Sequence, residues 1–164
     1  MQIDDITQRD EWLALEDEAL LASCRIDTCR GSGPGGQKRN KTSSMVRLVH
    51  LPSGVVSEND ETRSQHRNRG IALHNLRMKL ALSIRQEMGK VPVGPPPGHK
   101  TNGYILWLAR ILDALEAVEY KLPEATVLAG IGSGRIVKEL ARTPAAWQLV
   151  NTRRVALGLH PLKQ

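Results

Sequence analysis

Hydrophobic periodicity switches from helical to alternating and back along the chain, and each switch predicts an element. In QRDEWLALEDEALLAS, residues 8–23, the side chains Trp12, Leu13, Leu15, Leu20 and Leu21 recur at helical spacing and predict one short amphipathic helix or two, with these facing inward. CRIDTCR then sets Cys24, Ile26 and Thr28 against Arg25, Asp27 and Cys29, the period-two pattern of a strand. After a glycine-rich interval, SSMVRLVHL reads as a second strand around Met45-Val46 and Leu48-Val49. A turn at PSG, residues 52–54, and the segment VVSEN complete a hairpin with a third strand.

Beyond Glu61 the period becomes helical again. Ile71, Leu73, Leu76, Leu80 and Ile84 mark one long helix from Thr62 to Glu87, stopped by Gly89, with Arg63, Arg67, Arg69, Arg77, Lys79 and Arg85 distributed around it. Residues 89–103, GKVPVGPPPGHKTNG, hold four prolines and four glycines and read as a linker stiffened by Pro95, Pro96 and Pro97. YILWLARILDALEAVEYKL follows, with Tyr104, Ile105, Trp107, Leu108, Ile111, Leu112, Leu115 and Val118 on one face of a helix ended by Pro123. Shorter helices are predicted near Glu124–Ala129, from Ser133 to Arg142, and near Pro144–Gly158. No internal repeat is visible.

Composition narrows the class. A length of 164 residues, 24% charged and 40% hydrophobic, suits a soluble protein with one domain or one small domain and an appendage. Phe is absent, so the core must rest on Leu, Ile, Val and Ala. Cys24 and Cys29 are too few for a disulfide framework or a zinc site and read as packing residues. With no signal peptide and no apolar run of membrane length, the expectation is a cytoplasmic protein that does not enter a membrane. The histidines His50, His66 and His74 are scattered, so no metal site is expected, and no spacing supports a Ser/His/Asp triad.

Charge is unevenly placed. Residues 1–23 carry seven acids against Arg9, whereas residues 24–88 carry twelve Lys/Arg against five Asp/Glu. That surplus surrounds the stretch CRGSGPGGQKRNKT, as a polyphosphate partner requires. Gly31, Gly33, Gly35 and Gly36 leave almost bare backbone until Gln37, and Lys38, Arg39 and Lys41 follow. A flexible linker would be polar and low in complexity on both sides. This loop instead separates two predicted strands. Missing β-carbons at Gly35 and Gly36 permit positive φ and close approach of the main chain to a substrate, where an amide N–H can stabilise a developing oxyanion.

SGPGGQ, followed by NKTSS, VRLVHLPSGVV and ETRSQHRNRGIAL in that order, resembles the catalytic (GGQ) domain of class I peptide chain release factors and related ribosome-rescue hydrolases. The likeness covers roughly Cys24 to Leu82. It implies peptidyl-tRNA as substrate in the peptidyl transferase centre of the large ribosomal subunit, and no cofactor. Carried over, Gly35 and Gly36 make the turn and Gln37 is the catalytic position, its main-chain amide stabilising charge and its side chain placing water. Gln37 is also the family's side-chain methylation target. Lys38, Arg39 and Lys41 would line ribosomal RNA, with Arg63, Arg67 and Arg69 contacting phosphates farther out. Asn40, Ser64, Gln65 and Asn68 would brace the loop. One departure is Arg39, where the family usually has a small apolar residue.

The remaining residues resemble no codon-reading domain, so codon-specific termination is not expected. Nor is 100–164 the Lys/Arg-rich tail of small rescue hydrolases. Within it, ATVLAGIGSGRIVKEL sets Ala125, Ala129, Gly130 and Ile136 near helix-turn-helix positions, with Arg135, Lys138, Arg142, Arg153 and Arg154 adding charge, although a plain helical hairpin has the same apolar spacing. GIGSG lacks the Gly-Lys-Ser/Thr ending of a phosphate-binding loop.

The expected architecture is α+β, a small mixed sheet packed on a long helix with an exposed GGQ loop, then a helical C-terminal segment. Residues 1–88 form the catalytic domain, 89–103 the linker and 104–164 the helical module. The expected function is ribosome-dependent, codon-independent hydrolysis of peptidyl-tRNA by a monomer. Two alternatives stay open: the same hydrolysis with a partner protein supplying placement, and an RNA-binding regulator that keeps the fold without turnover.

Overall fold

The computed structural model describes residues 8–29, 44–89 and 91–163. Among these the element order is α1 (Gln8–Ala14), α2 (Asp17–Ala22), β1 (Cys24–Cys29), β2 (Met45–His50), β3 (Val56–Asn59), α3 (Gln65–Ser83), α4 (Asn102–Ala117), α5 (Leu122–Ala129), α6 (Ser133–Arg142) and α7 (Pro144–Ala156). The class is α+β. Backbone proximity divides the chain into two compact units, Leu15–Leu80 and Met1–Ala14 with Ala81–Gln164.

In the first unit the strands lie in the order β1-β2-β3, both pairings antiparallel. The mixed sheet expected from sequence is therefore antiparallel throughout the described residues. Residues 51–55 are too short to carry the crossover that a parallel neighbour needs. The turn closes instead through Gly54 N–H donating to the His50 carbonyl at 2.7 Å, with Gly54 at φ 70°.

Burial follows position in the sheet. Central β2 buries Val46, Leu48 and His50, and β3 buries Ser57 and Asn59. β1 forms where its alternation predicted a strand, but Ile26 and Thr28 are exposed, and Cys29, read from sequence as a packing residue, is exposed as well. From α3 the side chains Leu73, Leu76 and Leu80 join the core, as their spacing predicted, together with Ala72, while Ile71 and Ile84 are half-buried. Lys79 Nζ fastens the helix by donating to the Val56 carbonyl at 2.7 Å.

Arg77 departs from the expected basic surface of α3. It is buried, and its Nη2 donates to the Leu15 carbonyl at 2.7 Å and to Asp17 Oδ1 at 2.9 Å. Helical phase puts it next to Leu73, Leu76 and Leu80, so this guanidinium must find its partners inside the unit.

His50 gives this unit a pH dependence. It is fully buried at the end of β2, with Nδ1 2.7 Å from Ser53 Oγ, and burial pushes its pKa below the ordinary 6.5. The unfolded chain then takes up a proton at higher pH than the folded one. The stabilising contribution is complete above about pH 6.5 and is lost as pH falls through the lowered folded value. Urea unfolding is expected to show a lower midpoint at about pH 5 than at about pH 7.5, with a smaller difference in His50→Gln.

In the second unit α4 is the centre. Tyr104, Ile105, Trp107, Leu108, Ala109 and every residue from Ile111 to Leu115 are buried, so the helix is covered on nearly its whole circumference rather than on the single face expected. Thr101 caps it, Oγ1 accepting from Tyr104 N–H at 3.3 Å. It ends at Ala117, before Glu119 and Tyr120 turn left-handed at φ 52° and 59°. Pro123, expected to end α4, instead sits in the first turn of α5, where its missing N–H costs nothing.

A buried ion pair holds α1 to α4. Arg9, 1% exposed, donates to both oxygens of Asp113 at 2.9 and 2.5 Å, and Arg9 Nη1 also donates to the Ile84 carbonyl at 2.8 Å. Gln86 N–H donates to Asp113 Oδ1 at 3.1 Å. These contacts explain why α3 stops at Ser83 and not at Glu87: the next backbone groups bond to Arg9 and Asp113 instead of continuing the ladder. Residues 89–103, read from sequence as a linker, are tied at Gly94, whose N–H donates to the Ala129 carbonyl and whose carbonyl accepts from Trp107 Nε1, both at 2.9 Å. Gly130 ends α5 at φ 69° with Pro92 close by. Among the described residues no helix is long and apolar enough to cross a membrane.

Candidate functional site

Gly35, Gly36 and Gln37, together with Lys38, Arg39, Asn40 and Lys41, lie outside the described residues. The frame on either side is described. Cys29 ends β1 and Met45 opens β2, and the two are directly paired in the antiparallel register, with Cys29 Sγ 3.4 Å from Met45 Sδ. The chain therefore leaves and re-enters the sheet on neighbouring strands at one end.

Beside that end sits a cluster built on Asn68. Its side chain is wholly buried, and both donors and both acceptor positions of the amide are used. Nδ2 donates to the carbonyls of Ser44 at 2.7 Å and Thr62 at 2.8 Å. Oδ1 accepts from Thr62 N–H at 2.9 Å and Thr62 Oγ1 at 2.8 Å. Ser44 is the residue immediately before β2, so one side chain joins the first turn of α3 to the place where the chain returns to the sheet.

Ser64 caps α3. Its Oγ accepts from Arg67 N–H at 3.3 Å and its carbonyl accepts from Asn68 N–H at 2.9 Å. Thr62 Oγ1 in turn accepts from Ser64 N–H at 3.1 Å. The helix expected from Thr62 begins at Gln65 because Thr62 and Ser64 serve as turn and cap rather than as helical residues. Gln65 itself is exposed. Sequence reasoning named Ser64 and Asn68 but missed Thr62 and Ser44. The Thr-x-Ser spacing before a helix was the available signal for Thr62; Ser44 acts through its carbonyl, which no residue type announces.

From Arg63 to Arg69 every formal charge is positive, with Asp60 and Glu61 just before. Arg63 and Arg67 are exposed and Arg69 is half-buried, and the first turn of α3 has no acid. Cations at a helix N-terminus face the positive end of the peptide dipoles, an arrangement that costs roughly 0.3–1 kcal/mol each until an anion arrives. Among the described residues none of the three forms an ion pair, and Arg69 Nε is buried without a hydrogen-bond partner. By contrast Arg25 and Arg47 on the sheet pair with Asp27 and Glu58, each at 3.2 Å. Among the described residues no three His, Cys, Asp or Glu side chains gather to hold a metal ion.

Residues 18–92, which contain this frame and the glycine loop, match the family model of the RF-1 domain. Residues 18–92 are an RF-1 domain, similar to the catalytic domain of the class I peptide chain release factors. This release-factor domain begins within α2 and includes all three strands and α3. Peptide chain release factor 2 of Bordetella avium is 43% identical over 115 residues, covering 65% of this chain and 31% of that protein. The factor of the same name from Burkholderia pseudomallei (strain 1106a) is 40% identical over 123 residues, 70% of this chain and 33% of that protein. That from Variovorax paradoxus is 42% identical over 115 residues. The chain spans about a third of the length of these curated relatives. The Asn68 cluster and Arg63, Arg67 and Arg69 all fall inside the release-factor domain.

Proposed function

We propose that the chain hydrolyses the ester of peptidyl-tRNA on the ribosome, without reading a codon. The observation that carries this reading is the match of residues 18–92 to the RF-1 domain with Gly35-Gly36-Gln37 inside it. Water attacks the ester carbonyl, the carbon–oxygen bond to the tRNA ribose breaks, and the proton goes to the departing ribose oxygen. A carboxamide has no useful pKa and cannot act as general base, so Gln37 contributes by position. Its main-chain amide stabilises the oxyanion and its side chain places the water, while Gly35 and Gly36 let the backbone approach. Lys38, Arg39, Lys41, Arg63, Arg67 and Arg69 grip ribosomal RNA, and Asn40, Ser64, Gln65 and Asn68 support the loop. The absence of any acid from the first turn of α3 and the buried amide of Asn68 beside Ser44 both favour these roles.

The family model stops at residue 92, and beyond it 102–156 form four helices in the described residues, the segment we assign as a separate module of residues 104–164 joined to the catalytic residues 1–88 through 89–103. Ribosomes carrying an initiator peptidyl-tRNA analogue, with a stop codon, a sense codon or an empty A site, test the reading. Release in all three cases is expected. Release at stop codons alone overturns codon independence; binding without release points to a regulator, and release only with added cell extract points to a partner protein. Gly36→Pro is expected to reduce release by about a hundredfold or more, since it removes both the backbone freedom and the close approach. Gln37→Ala keeps the amide and is expected to lose less.

A further inference from the structure

Helix α6 presents an unusual exposed face. Arg135, Lys138 and Arg142 are exposed, at positions i, i+3 and i+7. At 100° per residue these three fall within an arc of about 60° and span about 10 Å of helix axis. The helix's one acid, Glu139, is 1% exposed and does not face solvent. It lies beneath the two arginines, Oε1 accepting from Arg135 Nε at 2.9 Å and Oε2 from Arg142 Nη1 at 3.1 Å. Tyr104 OH donates to Glu139 Oε2 at 3.2 Å and steadies the carboxylate. Both guanidiniums remain about half exposed, at 51% and 44%. Among the described residues the Arg135 Nη groups and Arg142 Nη2 make no other bond, so their outer edges stay available in an already ordered pose.

Next to this stripe is a groove of about 560 Å³, lined by the apolar side chains Leu122, Val137 and Ala141 and by Lys138 and Lys163. Lys163 follows α7 and is held near by the C-terminal stretch, where Leu162 N–H donates to Asn151 Oδ1 at 2.7 Å. Lys138 and Lys163 thus border one shallow apolar surface within a single unit, with Arg135 and Arg142 further round the same helix beside Lys138. Phosphates with a flat, largely apolar base between them match that pairing.

We propose that the α6 face and its groove form an RNA-binding site, taking phosphates of a single-stranded or looped segment on Arg135, Lys138, Arg142 and Lys163 and one base against Leu122, Val137 and Ala141. The choice of RNA over another polyanion rests on the ribosomal reading above. Charge complementarity and the planar, carboxylate-held guanidiniums favour phosphate.

The test uses the full chain and a fluorescein-labelled oligouridine of about twelve nucleotides. Lys138→Gln/Lys163→Gln changes only exposed residues and is expected to weaken binding about tenfold and to lower the salt-dependence slope by about 1.4, the value for two lost phosphate contacts on a single strand. Arg25→Gln/Arg47→Gln, which removes the same charge from the sheet, is expected to change binding less than about twofold. Equal loss in both pairs, or unchanged binding in the first, overturns the site. A polyglutamate peptide that binds as tightly as the RNA and is lost with the same lysines overturns it in favour of an acidic protein. Gly36→Pro separates this site from the hydrolytic reading, because oligouridine binding is expected to survive it. Failure of the wild type to release peptide, with the lysine pair still selectively required for RNA, would sink the hydrolytic reading and leave the RNA site standing.

Discussion

Asp113→Leu is expected to destabilise the unit built on α4 by about 3–5 kcal/mol, more than any surface change in the chain. The cost lies less in the lost attraction than in what stays behind. Arg9 is buried, and burial works to lower its pKa, yet bonding to Asp113 and Asp10 outweighs that and leaves it above the ordinary value. Without Asp113 the guanidinium keeps its charge and loses its main partner. Arg85, whose pKa burial already lowers, loses the nearest opposing carboxylate, 3.4 Å away. Gln86 N–H is orphaned as well. Urea unfolding measures the loss, and a cycle with Arg9→Met identifies its source. The double variant is expected to be more stable than Asp113→Leu alone, because an apolar pair of similar volume leaves no buried charge. A single variant costing under about 1 kcal/mol would mean that water reaches Arg9.

Asn68→Asp is expected to damage activity more than stability explains. The replacement has nearly the same shape and keeps an acceptor for Thr62, but sets a second oxygen against the carbonyls of Ser44 and Thr62. Two carbonyls lose their donor, for roughly 2–4 kcal/mol. If Asn68 positions the return of the glycine loop, peptide release at saturating protein falls by about a hundredfold, the scale of an ångström misplacement. Leu73→Ala supplies the comparison: it removes buried volume from the same helix, at about 2–5 kcal/mol, without touching Ser44. It is expected to keep release within a few-fold below its melting temperature. Equal loss in the two variants would reduce Asn68 to a structural role.

Much of the fold was legible because the local rules agreed. Leu73, Leu76 and Leu80 recur with the period of a helix and are buried along α3; Ser133–Arg142 follows the helical period over its whole length and forms α6 with those bounds. Legibility failed where a residue's partner lies far along the chain. Arg77 reads as a surface cation from its type and is buried because Asp17 and the Leu15 carbonyl wait for it sixty or more positions away. Alternation gave a correct strand assignment for β1, but Cys29, read as a packing residue, is exposed, since alternation does not record which face of a strand another element will cover.

By itself the sequence determined the order and type of the elements and the glycine loop with its family signature, because periodicity, caps and motifs are properties of neighbouring residues. It also determined which residues to expect at the site. Only the tertiary structure decided that β1 pairs antiparallel with β2, that α3 stops at Ser83 in favour of bonds to Arg9 and Asp113, and that the Asn68 amide reaches the Ser44 carbonyl. The physical reason is common to all three. Each is settled by satisfying a buried polar group or an unpaired strand with a partner distant in sequence, and no local pattern records where that partner will be.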